Sequence, residues 1–85
     1  MKNETVEKRI DAAIKRYIPN ESAHVKNYIK DLIKTTFQGL EMDDDGEYHT
    51  SSDNLRFAIS ITLDDMDTPM ILKEAREDES ERANS

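Results

Sequence analysis

No cysteine occurs in the chain, which excludes disulfides, thiolate metal sites and thiol catalysis. No apolar run approaches the ~20 residues that a membrane-spanning helix needs. The charged N-terminus, MKNETVEKR, lacks the apolar stretch of a signal peptide, so the expectation is a cytoplasmic protein with no membrane partner. Large apolar side chains are sparse as well. Leu, Ile, Val and Phe number 17 of 85 residues, near the level at which highly charged chains stay disordered. None of them lies in the last twelve residues, so the sequence predicts one small domain over 1–73 and an acidic, disordered tail over 74–85. A core of this size is marginal by itself, which favours a dimer or a partner that completes it.

Positive charge is concentrated in one half of the chain and negative charge in the other. Residues 1–40 hold eight basic side chains against five acidic ones, a balance of +3. Residues 41–85 hold four against fourteen, a balance of −10. Either the halves attract each other, within one molecule or between two protomers, or the acidic half meets a basic partner.

The strongest periodic signal lies over residues 20–39. Val25, Ile29, Leu32, Ile33, Thr36, Phe37 and Leu40 share one helical face, with Asn20 as N-cap and Gly39 as stop. Lys26, Lys30 and Lys34 form a ridge opposite. Val6, Ile10, Ala13, Ile14 and Tyr17 mark a preceding helix over 4–18, which Pro19 ends. The short connection implies an antiparallel helical hairpin. Asp45-Gly46 and Ser52-Asp53-Asn54 read as turns. Between them, Glu47 to Ser51 is a weak edge strand. Leu55, Phe57, Ile59, Ile61 and Leu63 alternate with Arg56, Ala58, Ser60 and Thr62, the period of a half-buried strand. Residues 69–73 fit either a strand paired with 55–63 or a helix started by Thr68-Pro69. The strand is preferred, because an isolated strand leaves its backbone groups unpaired. The predicted fold is therefore α+β: a helical hairpin packed on a small two- or three-stranded antiparallel sheet. Its core comprises Val6, Ile10, Ile14, Tyr17, Val25, Ile29, Leu32, Ile33, Phe37, Phe57, Ile59, Ile61 and Leu63.

No catalytic motif stands out. Ser51 and Ser52 lack a nucleophile-elbow context, and no carboxylate sits in an identifiably apolar pocket that would perturb its pKa. His24 and His49 show no metal-ligand spacing and read as surface histidines. The segment Glu41-Met42-Asp43-Asp44-Asp45-Gly46-Glu47 places Glu41, Asp43, Asp45, Gly46 and Glu47 at positions 1, 3, 5, 6 and 7 of a calcium loop. Position 12 is then Ser52, where a bidentate Glu belongs, and no clear helix follows. An acidic turn is the plainer reading, with weak cation binding through 41–53 as a lesser alternative. No metal or cofactor is expected. Direct nucleic-acid binding is disfavoured too, because an acidic chain is repelled by a polyanion despite its lysine ridge.

The acidic half is the better lead. On one sheet edge, Asp43, Asp44, Asp45 and Glu47 would meet Asp64, Asp65 and Asp67, with Asp53 between. Carboxylates spaced over a rigid surface can imitate DNA phosphates in a basic groove. In size, charge and layout the chain resembles small acidic inhibitors encoded by phages and other mobile elements, among them the uracil-DNA glycosylase inhibitor and anti-CRISPR proteins. No binding residue carries over from them. The functional expectation is a non-enzymatic inhibitor or regulator that docks a basic surface of a protein partner, with a nucleic-acid-handling protein as one candidate, through those seven acidic residues. The alternative is a homodimeric assembly component, with the basic hairpin of one protomer against the acidic half of the other.

Overall fold

The computed structural model describes residues 3–43 and 50–83. They form four helices and, among the described residues, no strand: α1 Asn3–Tyr17, α2 Ala23–Asp43, α3 Ser51–Leu63 and α4 Thr68–Ala83. The expected α+β architecture is thereby corrected to an all-helical one. α2 and α3 lie at the centre, each touching the other three helices, while α1 and α4 flank them without touching each other. No helix is long and apolar enough to cross a membrane among the described residues.

α1 and α2 pack through Val6, Ile10, Ile14, Val25, Ile29 and Ile33, all buried. Ser22, rather than Asn20, caps α2: its hydroxyl accepts from the Val25 N–H at 3.2 Å. Gly39 does not stop α2, which runs one further turn to Asp43. Tyr17, expected in the core, is 42% exposed, with the Arg16 guanidinium 5.7 Å from its ring centroid. Ile18 takes the buried place instead, with its N–H bonded to the Ile14 carbonyl at 2.9 Å.

The predicted strand over 55–63 is α3. Its sequence satisfies two periods at once. Leu55, Ala58, Ile59, Thr62 and Leu63 recur at helical steps, and of these Leu55 and Ala58 are fully buried while Phe57 is 53% exposed. Alternation would have put Phe57 inside. Thr50, in extended conformation, caps the helix by accepting from the Asp53 N–H at 3.1 Å. The buried Thr62 hydroxyl donates to the Ala58 carbonyl at 2.9 Å, so it needs no partner outside its own helix.

Residues 69–73 belong to α4, not to a second strand. Pro69 suits a helix start, where its missing N–H is of no consequence. The preceding turn is tied by the Thr68 hydroxyl, which donates to the Thr62 carbonyl and accepts from the Asp65 N–H, both at 3.0 Å. The expected boundary at residue 73 falls inside α4. Ala75 is its one fully buried residue, with Ile71 and Leu72 packed against the core. Beyond Ala75 the helix is polar and is held to the start of α2 by ion pairs and hydrogen bonds.

Candidate partner-binding surface

Two of the three lysines of the basic ridge, Lys30 and Lys34, pair with carboxylates of their own half. Lys30 lies 3.0 Å from Asp11 and 3.5 Å from Glu7, and Lys34 lies 2.9 Å from Glu7. The Lys34 hydrogen bond, with the charges of Lys30 and Lys34, holds the Glu7 carboxyl below its ordinary range. The hydrogen bond to Asp11 raises Lys30. Among the described residues, no Lys or Arg of the first 40 pairs with a carboxylate of the acidic half. The two halves meet through other groups. Arg76 forks onto Glu21 and lowers that carboxyl's pKa. His24 Nε2 lies 2.8 Å from Asp78 Oδ2, and this bond, with help from Arg82, lowers Asp78. Ser22 donates to Glu79, and Arg9 donates to Ser52 Oγ at 2.9 Å.

His24 is therefore a residue hydrogen-bonded to Asp78 rather than a bare surface histidine. This bond was not recognisable in the sequence, because Asp78 is 54 positions away in a segment expected to be a tail. The predicted acidic site is described only in part. Asp44, Asp45 and Glu47, like His49, lie outside the described residues, and Asp43 ends α2. Asp64, Asp65 and Asp67 are exposed in the α3–α4 turn, and their carboxylates make no ion pair or hydrogen bond among the described residues. Among the described residues there is no sheet edge to gather Asp43 with Asp64, Asp65 and Asp67.

Most of the calcium-loop register, Asp45, Gly46 and Glu47 included, lies outside the described residues. A helix does follow the loop, contrary to expectation, but position 12 is Ser52, engaged by Arg9. No group of three or more His, Asp or Glu side chains is placed to hold a metal ion among the described residues.

The turn that carries Asp64, Asp65 and Asp67 also carries apolar surface. An open cleft of about 720 Å³ lies at the corner of α3 and α4, lined by Leu63, Met66, Pro69 and Leu72 with Asp64, Asp65, Thr68 and Arg76. Met66 is 93% exposed and Met70, one turn into α4, is 62% exposed. Arg76 is already committed to Glu21, which leaves Asp64 and Asp65 to set the charge of the rim. Sequence reading missed this apolar component. Met66 is flanked by Asp65 and Asp67, so no local apolar period marked it.

The chain matches no family model, no curated protein and no solved structure. The sheet that completed its resemblance to small phage-encoded inhibitors is absent among the described residues, where size and charge are what remain of that likeness.

Proposed function

We propose that the chain is a small, non-enzymatic, cytoplasmic binding protein, an inhibitor or regulator that docks a basic surface of a protein partner. Asp64, Asp65 and Asp67 form the described part of the contact set, and Asp43, Asp44, Asp45 and Glu47 extend it. One observation carries the reading: the negative surplus of the second half is not answered by the lysines and arginines of the first among the described residues. Lys30 and Lys34 face Glu7 and Asp11 instead, which also weighs against a homodimer built from basic hairpin on acidic half. Uncompensated surface carboxylates accelerate encounter with a basic partner and make the complex sensitive to salt.

The test is affinity capture from a bacterial lysate, at low and raised salt, with the wild-type chain and with Asp64→Lys/Asp65→Lys. The expected result is one dominant basic protein, released by salt and lost from the variant while its far-ultraviolet circular dichroism is unchanged. Equal capture by wild type and variant, or no capture together with a self-associated mass, refutes the proposal.

A further inference from the structure

We infer that the cleft at the α3–α4 corner receives a cationic amphipathic helix of the partner, apolar side chains between Met66 and Leu72 and basic ones against Asp64 and Asp65. The inference rests on the acidic-docking reading and adds the shape and chemistry of the occupant.

Three features of the corner support it. The floor is apolar and fixed, because Leu63 is buried and Leu72 packs against the core. The lip is apolar and adaptable, because Met66 lines it and projects into solvent on an unbranched, polarisable side chain that moulds to irregular surfaces. The rim is acidic, because Asp64 and Asp65 line the cleft with no cationic partner among the described residues, while Glu21 occupies Arg76. The cleft is shallow and open rather than enclosed, which suits a polypeptide face better than a small molecule buried on most sides. A helix laid in a groove offers apolar anchors at three- and four-residue steps. Lysines or arginines flanking those anchors would complement the rim. An uncharged apolar helix would leave both aspartates partly desolvated without a counter-charge, and an acidic one would be repelled.

The probe is a synthetic 16-residue helical peptide with leucines on one face and lysines beside them. Its control is a scrambled peptide of the same composition with no apolar face. Each is titrated into the ¹⁵N-labelled full chain and followed by amide shifts at low and raised salt. The patterned peptide is expected to shift residues 63–72 and to bind about fivefold more tightly than the control. Met66→Ser, a change at a solvent-exposed side chain, is expected to remove most of that difference. Asp64→Asn/Asp65→Asn is expected to weaken both peptides and flatten the salt dependence.

Equal, salt-sensitive binding of both peptides, unchanged by Met66→Ser, overturns the inference while leaving the acidic-docking reading in place. Binding of neither peptide at low salt overturns the inference and removes this turn from the docking reading. A self-associated mass whose interface covers residues 63–72 in the free chain assigns the cleft to a second copy and overturns it as well.

Discussion

Replacing Leu55 and Phe57 one at a time separates the helix observed over 51–63 from the strand that its alternation suggests. Leu55 is fully buried at the centre of the molecule, whereas Phe57 is 53% exposed. Leu55→Ala removes buried methyl and methylene groups and leaves a cavity that a rigid helical surround fills only partly. The expected cost is about 3 kcal/mol, within the range for buried leucines. A chain of this length has a total stability of roughly 4–13 kcal/mol, so the loss is a large share of it, equivalent to a fall in Tm of about 12–24 °C.

Phe57→Ala gives up only half a side chain of burial, about 1 kcal/mol, and regains about 0.5 kcal/mol from the better helix propensity of alanine. Its net cost is therefore about 0.5 kcal/mol. Were 55–63 a strand with Phe57 facing the core, the aromatic truncation would be the severe one, at about 3–5 kcal/mol. The assay is urea unfolding followed by circular dichroism at 222 nm, with the slope compared across variants to confirm an unchanged two-state transition. A Phe57→Ala cost equal to or above that of Leu55→Ala refutes the helical assignment and the core described for it.

Two further perturbations follow from the same structure. Gly39 lies inside α2 with nothing within 4 Å of an added Cβ, so Gly39→Ala should stabilise the chain by about 0.5–1 kcal/mol in the same urea assay; a destabilised variant would contradict the run of α2 past this residue. Glu7, Glu21 and Asp78 have folded-state pKa values below their ordinary ones of 4.5, 4.5 and 3.8. Their stabilising effect is thus fully present above those ordinary values and is lost as pH falls through the lower folded ones. Thermal unfolding at low salt should therefore show a falling midpoint below about pH 4.5, with Glu7→Gln reducing the slope and added salt shrinking it; a midpoint flat from pH 5 to 2.5 would refute the three pairings.

The helical hairpin of the first half was legible because local and tertiary signals coincide there. Val6, Ile10 and Ile14, then Val25, Ile29 and Ile33, fall at helical steps only, and a helix that buries them satisfies its own backbone. Near α3 the signals conflict. Thr50-Ser51-Ser52-Asp53 carries the form of a capping box ahead of an apolar run, a local helix signature, yet LRFAISITL alternates well enough to read as a strand. The contacts of α3 with α1, α2 and α4 bury the face of Leu55 and Ala58, and backbone bonds within a helix need no second strand to close them.

The acidic character was equally plain from sequence, since charge is a property of composition and needs no fold. The apolar cleft beside Asp64 and Asp65 was not, because Leu63 and Leu72 share it only after α4 turns back along the bundle. Composition and period determined that this chain is acidic in its second half, helical in its first, and short of core. Tertiary packing decided which of two periods α3 obeys, and that residues 74–83 continue a helix docked on α2. It also decided that Leu63, Leu72 and Arg76 line one cleft beside Asp64 and Asp65. Those outcomes depend on contacts between residues far apart in the chain, whose free energy no local stretch carries.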